Sequence, residues 1–395
     1  MRRFLFFAIL SALCGFSWMV PVHWLGPLLS LGLVGLVLLQ KTRKTRYGMA
    51  LAYYSAGSIG LLRGVAVFFG PHASPWEGAF LWLGSAALLS LGWAFANRPW
   101  KAALVLLFDA LVPPLSLFDW MSPLASSGVL FPGFGVWGIA ALLTGVAGVA
   151  IVPKGQGSKA MPHVALALGA VALLLNIVYA PGVSPRGFYG VNLHVGPQSK
   201  NLLAEMARRQ AILRETLAEP HVSRGLAKVV LLPETLETAW VGNEWAIQRA
   251  IPEGQTWLFG MSVPVEKGLM TDSIIALRHT GKPATLFTSA FPVPVSMWHP
   301  WSQGTGFVRA DNVGYRATWW TPIRTIDGVR AWADICYDQL LPFVWLEGVV
   351  QHPQVVLLTN NEWWAKGTGI SQIQANSSWA WARLIGAPTI EAINS

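Results

Sequence analysis

Charge is scarce in this chain. Only 12% of its 395 residues are Asp, Glu, Lys or Arg, while 53% are hydrophobic. A soluble domain carries about a quarter charged residues, so an ordinary water-exposed protein is excluded for at least part of the length. Cysteine is almost absent: Cys14 lies in the first apolar stretch and Cys336 near the other end, so a disulfide framework is excluded. The eight histidines are scattered and no HExxH occurs, so no metal site is expected. There is no P-loop and no GxGxxG after a strand, so no cofactor is expected either. Internal repeats and low-complexity tracts are missing too.

What is present falls into two parts. Up to Ala180 the chain is a series of apolar runs, and from Arg186 the charge density is ordinary. PGVSP, with its turn chemistry, marks the change. The expected organisation is a helical membrane bundle over 1–180, a linker over 181–187 and a second domain over 188–395. Seven helices are expected at about 4–20, 23–40, 48–70, 78–96, 102–118, 133–153 and 161–180, near the ~20 residues that cross a hydrocarbon core. Basic residues recur in every second loop: MRR, then Lys41 to Arg46, then Arg98 and Lys101, then Lys154 and Lys159. By the positive-inside rule the N-terminus is cytoplasmic and the domain after the seventh helix is periplasmic, in a multi-pass inner-membrane protein. The net charge of +9 is then partly a topology signal, and nucleic-acid binding is not expected. Arg63 and Asp109 lie within helices, where charges are usually paired, and are expected to pair with each other. Pro113 and Pro114 should break the fifth helix.

The second part alternates strands and helices. GFYGVNLHV, AKVVLLP, TWLFGMSV, SIIALRH, GVRAWADIC, QVVLLTN and PTIEAIN read as strands, and NLLAEMARRQAILRETLAEP and WAWARLIG as helices. Three strand ends carry chemistry. Glu234 follows a buried strand and a proline in LLPETLETAW, where desolvation can make a carboxylate a base; a solvated loop glutamate is the plainer reading. Cys336 ends the strand WADI, placed as nucleophiles often are; an inert buried thiol is the alternative. LLTNNEWWAKGTG ends a third strand in Asn360, Asn361, Glu362, Trp363 and Trp364, which could shape a pocket or offer donors to an oxyanion. The same loop, with Trp298, Trp301, Trp319 and Trp320, also reads as a tryptophan rim resting on a membrane.

In this order and spacing, strand–PE–T at Glu234, strand–ICYD at Cys336 and strand–TNNEWW resemble the nitrilase, or carbon–nitrogen hydrolase, superfamily. Behind membrane helices the domain resembles apolipoprotein N-acyltransferase, and the layout is still closer to the TraB-type conjugal transfer proteins. The resemblance implies a four-layer αββα sandwich, with Glu234 as general base, Cys336 as nucleophile through a thioester, and Asp338 as a further acidic residue. Tyr337, Asn360, Asn361, Trp363 and Trp364 would bind substrate. The family's lysine falls near Ser289 in LFTSAFPVPVSMW and a later glutamate near Met297, so neither is retained; Lys282 or Lys366 would have to substitute. Three functions follow as expectations. The first is a Cys-dependent amidase or acyl transferase acting on a conjugation-apparatus protein such as a pilin. The second is lipid-to-protein acyl transfer from membrane lipid. The third is a non-catalytic assembly module on a degenerate nitrilase fold.

Overall fold

The structure, a computed structural model, describes residues 2–69, 74–148, 161–199, 201–266, 268–294, 296–298 and 314–395. Trp301, Lys154, Lys159 and the end of the helix expected at 133–153 lie outside them. The chain divides into two compact units.

The first unit contains 1–181, 340–350 and 367–386. Its helices are α1 (Arg2–Phe16), α2 (Leu25–Leu29), α3 (Leu31–Leu38), α4 (Arg43–Gly57), α5 (Leu61–Phe69), α6 (Pro75–Trp93), α7 (Pro99–Leu111), α8 (Ser126–Leu130), α9 (Gly135–Gly148) and α10 (Met161–Val178).

The expected seven-helix polytopic bundle is not what these residues form. Among the described residues one helical stretch, Arg2–Met19, is long and apolar enough to cross a membrane. The count rises to three only if each of two bent pairs is one span: α4 with α5, bent by 46°, and Pro123–Leu130 with α9, bent by 114°. The reason is local. Ser30 separates α2 from α3, a turn at Ser58–Gly60 separates α4 from α5, and α7 stops before Pro113 and Pro114, which cannot continue a helix. The 19-residue α6 has the length, but its Glu77, serines, glycines and tryptophans dilute its apolar character. The alternating basic loops therefore do not orient seven spans.

Buried polar bonds, not only apolar packing, tie these helices together. Trp18 Nε1 donates to Tyr53 Oη at 2.8 Å, and Trp93 Nε1 to Asp109 Oδ2 at 3.1 Å. Asp109 is buried against Trp93 while Arg63 is exposed, so the expected Arg63–Asp109 pair does not form.

The second unit contains 182–339, 351–366 and 387–395. Its elements are β1 (Phe188–Gly190), α11 (Leu202–Ala218), α12 (Pro220–Ser223), β2 (Val229–Leu231), β3 (Glu237–Thr238), α13 (Val241–Gln248), β4 (Thr256–Glu266), β5 (Leu269–Leu277), β6 (Ala284–Thr288), β7 (Gly314–Tyr315), β8 (Arg324–Ile326), β9 (Val329–Ile335), β10 (Val355–Asn361) and β11 (Thr389–Asn394). Two further helices, α14 (Pro342–Gln351) after β9 and α15 (Ile370–Ile385) after β10, belong almost wholly to the first unit. There Asn376 of α15 donates to the Trp18 and Val20 carbonyls at 2.8 and 3.0 Å. The second unit by itself supplies one helix layer and two sheets; Trp332, Val356 and Leu358, on the face of the second sheet turned away from the first, are buried as well.

One sheet runs β1-β2-β4-β5-β6 with β3 and β7 attached, and the other β11-β10-β9-β8. Alternation along each strand sorts the core. Val230, Trp257, Phe259, Met261, Ile275 and Leu277 pack with Ile212, Leu213 and Ile247 of the helices. Val229, Leu231, Leu258, Ile274, Ala276 and Phe287 point the other way. They meet Ala331, Ala333, Ile335, Val355, Leu357, Ile390 and Ala392 of the second sheet.

Candidate functional site

The site lies where several strand ends converge. β2 and β4 run parallel, as do β9, β10 and β11. Ligands in open α/β sheets favour the carboxyl ends of such strands. β5 is antiparallel to β4, so its amino end returns there, with Asp272 opposite Ser262.

Glu234 follows Leu232 and Pro233, where the chain leaves β2 and dips inward. The sheet ladder holds both sides of the dip: Leu232 N–H donates to Leu258 O and Leu236 N–H to Gly260 O, each at 2.9 Å. Thr235 takes φ +42° within it. A Cβ at Gly260 would lie 2.2 Å from the Pro233 carbonyl oxygen and 2.4 Å from Glu234 Cα, so only glycine permits this approach. Asn361, at the end of β10, donates from Nδ2 to the Glu234 carbonyl at 3.4 Å and to Thr235 Oγ1 at 3.3 Å. Asn394 Nδ2 in turn donates to Asn361 Oδ1 at 2.8 Å and fixes its orientation.

Cys336 comes directly after β9 and adopts φ +53°, a left-handed conformation that costs a non-glycine residue of order 1–3 kcal/mol. That turn starts a short 3₁₀ segment, Cys336–Leu340, which turns the chain at Asp338. The Asp338 carboxyl is fully buried and accepts from Ala290 N–H at 2.8 Å and Phe291 N–H at 2.7 Å. Ser289, where the nitrilase resemblance places a lysine, also hydrogen-bonds Asp338. Met297 is half-buried, and Lys282 and Lys366 are exposed.

The structure places Glu234, Cys336 and Asp338 in one cluster and adds Asp272. Glu234 is a side-chain hydrogen-bonding partner of both Cys336 and Asp272. Burial, then the neighbouring Asp272 charge, pushes the Glu234 carboxyl well above its usual range. Burial raises Asp272 to about 7. Asp338 rises to about 8 through burial, although its two backbone donors and Ser289 oppose the shift. Burial, then Glu234 and Asp272, pushes the Cys336 thiol up as well. A thiol so placed is not a standing thiolate; it must give up its proton to a neighbour as it reacts.

The remaining expected residues sit around this cluster in different ways. Tyr337 is buried. Asn360 is turned away, exchanging hydrogen bonds with Gln339 at 2.8 and 3.4 Å. Trp363 and Trp364 stand half-buried on the turn after β10. Phe291, beside Asp338, anchors an aromatic group, with ring centroids 4.6 Å from Trp298 and 5.0 Å from Trp319. Trp319 and Trp320 are 46% and 48% exposed, large apolar surfaces offered outward.

Asp272 is absent from the residues expected from sequence. Its signal was an acid two positions ahead of the apolar residues of SIIAL, on the face that Ile274 and Ala276 bury. Among the described residues no group of three or more His, Cys, Asp or Glu side chains is arranged to hold a metal.

Sequence comparison completes the description. No family model matches the chain. The conjugal transfer protein TraB of Agrobacterium fabrum (strain C58 / ATCC 33970) is 30% identical over 373 residues, covering 88% of this chain and 82% of that protein. The chain belongs to the TraB family of conjugal transfer proteins. A probable TraB of Sinorhizobium fredii (strain NBRC 101917 / NGR234) is 28% identical over 363 residues, covering 90% of this chain and 89% of its own. Both matches are long enough to take in residues of the helical and α/β units, so TraB membership applies to the chain as a whole. The one N-terminal apolar helix is compatible with membrane association.

Proposed function

We propose that this chain serves conjugal transfer and that its α/β unit is a cysteine-dependent amidase or acyl transferase. The role in conjugation rests on the TraB relatives. The chemistry rests on one observation: the Cys336 thiol, at a strained turn after β9, is hydrogen-bonded to a buried Glu234. Cys336 Sγ attacks a carbonyl carbon while its proton passes to Glu234. The new S–C bond leaves a tetrahedral centre. This collapses as the bond to the leaving group breaks, and Glu234 gives the proton to the departing amine or alcohol. Water or an amine then takes the acyl group, its proton returning through Glu234 to the sulfur. The substrate is a protein of the conjugation apparatus, of which a pilin is the simplest instance, and the exposed Trp319 and Trp320 are suited to a substrate held at a lipid surface.

A second reading is an assembly module without catalysis. It is favoured by the groups around Cys336: those acting on its thiol are Glu234, Asp272 and Asp338, all acidic, and Ser289 stands where the resemblance puts a lysine.

Intact mass of the purified full chain, after incubation with its native membrane fraction, separates the two. A hydroxylamine-labile adduct on wild type, missing from Cys336→Ser and Glu234→Gln, is the result expected for the enzyme. Its mass identifies the acyl group: a fatty-acyl mass means lipid as donor, a peptide mass means protein processing. No adduct, with full transfer activity in Cys336→Ser, is the result expected for the module.

A further inference from the structure

We propose that Asp272 is a positioning residue of this site: its carboxyl shares a proton with Glu234 and so keeps Glu234 the acceptor for the Cys336 thiol proton. The proposal deepens the cysteine chemistry proposed above and rests on it for its consequence, though not for its geometry.

The strand register puts Asp272 there. Asp272, Ile274 and Ala276 alternate onto one face of β5, and the latter two fill the layer between the sheets, against which Cys336 also packs. Asp272 occupies the end of that layer, 3% exposed, in a place where the strand gains nothing from a carboxylate. Its backbone carbonyl accepts from Ser289 N–H at 2.8 Å, which secures β5 to the chain after β6 whatever the side chain is. The side chain meets Glu234, and the pair leaves Glu234 Oε2 and Asp272 Oδ1 buried without a hydrogen-bond partner.

Two carboxyl groups joined by a hydrogen bond in a desolvated place cannot both be ionised; one proton serves both. The directions of the shifts agree, Glu234 well up and Asp272 to about 7. Among the described residues the charged and titratable groups acting on this pair are Cys336 and Asp338 from the chain after β9. Asp338 has its own donors, Ala290 N–H and Phe291 N–H, so it is held apart from the exchange. The shared proton leaves the pair one carboxylate, which can accept from a thiol that burial has also made reluctant to ionise. During attack the Cys336 proton moves to Glu234, while the hydrogen bond to Asp272 persists. No cation is needed for this transfer.

The test uses the full-length protein and a small probe, iodoacetamide. The rate of Cys336 alkylation is followed against pH by peptide mass, which separates Cys336 from Cys14. Asp272→Asn removes a negative neighbour while keeping the shape. The midpoint of the alkylation profile is expected to fall by about one pH unit or more, with several-fold faster labelling at neutral pH. Asp272→Glu should restore the wild-type midpoint. In a Glu234→Gln background the Asp272→Asn shift should shrink, because the effect passes through Glu234. A midpoint unchanged by Asp272→Asn in a protein with wild-type near-ultraviolet dichroism overturns the proposal. So does an equal shift with and without Glu234. If Asp272→Asn fails to fold, the Asp272→Glu profile decides: a wild-type midpoint supports the proposal and a lowered one overturns it. The thioester experiment is separate. A shifted alkylation profile without any acyl adduct would leave the Glu234–Asp272 pair standing and remove the enzyme reading.

Discussion

The layer between the two sheets differs sharply between its middle and its end. The middle is Leu258, Ile274, Ala276 and Phe287 against Ala331, Ala333, Ile335, Val355 and Leu357, all buried and all apolar. The end, a few residues further along the same strands, holds Glu234, Asp272 and Asp338, equally buried, and the half-buried Cys336. Burial stabilises the middle at roughly 25 cal/mol per Å² removed from water. At the end the same burial opposes ionisation of three carboxyl groups and a thiol. Folding alone does not select for such an end. The contrast marks it as the part kept for chemistry or recognition, and variants at either place can break or sharpen that contrast.

The largest effect is expected in the middle. Phe287 is 1% exposed, and Phe287→Ala should cost about 3–5 kcal/mol through lost burial and a residual cavity. Denaturant unfolding of the second unit, followed by hydrogen exchange at β5 and β6, measures it. A loss below about 1 kcal/mol would mean that the apolar middle is not what holds the sheets together.

The next effect comes from pH and belongs to the end. Asp272 and Asp338 rise from 3.8 to about 7 and about 8 on folding, so the folded unit binds their protons more tightly than the unfolded chain does. Their contribution is therefore fully present below about pH 4 and is lost as pH rises through 7 and 8. Every tenfold gain in proton affinity is worth about 1.4 kcal/mol at most, and the effects of coupled acids do not simply add. Stability should fall by a few kcal/mol between pH 5 and pH 8.5, with a shallower slope in Asp272→Asn/Asp338→Asn, where Glu234 remains raised by burial. A flat profile in wild type would show that the acids are solvated.

How much of this was legible in the sequence follows the same division. Glu234, Cys336 and Asp338 stand at strand ends that alternation and turn residues mark, and the structure brings them within reach of each other. The helix expected over NLLAEMARRQAILRETLAEP contains α11, and the strand expected over QVVLLTN is β10 shifted by one residue. Asp272 left a signal as an acid on the buried face of its strand, but its place beside Glu234 needs the β4–β5 register, a pairing between strands that one strand's pattern does not encode. Asn361 was expected to bind substrate. It bonds the Glu234 carbonyl, a contact that depends on a long-range approach between the ends of β2 and β10. In the N-terminal half, hydropathy alone suggested seven spans. Short helices break at Ser30, Ser58–Gly60 and Pro113–Pro114 and bury hydrogen-bonded Trp and Tyr, and mean hydropathy registers neither feature.

A smaller effect separates two acids within the end itself. Asp338 accepts from two backbone N–H groups. In Asp338→Asn one of those donors would face an amide NH₂ and lose its acceptor, at a cost of about 1–3 kcal/mol at any pH.

The smallest effect should carry the opposite sign. Asp272 has one carboxyl oxygen buried without a partner, and the side chain that hydrogen-bonds it is another acid, Glu234. Asp272→Asn supplies an NH₂ donor to Glu234 and removes a charge that burial disfavours above pH 7. Stability at pH 8 should rise by up to about 1 kcal/mol, and below pH 5, where Asp272 is protonated in the fold, the gain should vanish. Thermal unfolding of the variant and wild type at the two pH values measures the difference. Stabilisation at high pH, together with a lowered alkylation midpoint at Cys336, would mean that Asp272 is kept at the expense of stability, as expected of a group serving a site rather than a fold. A loss of stability at both pH values would instead make Asp272 a structural acid like Asp338, and the contrast between the two ends of the site would collapse.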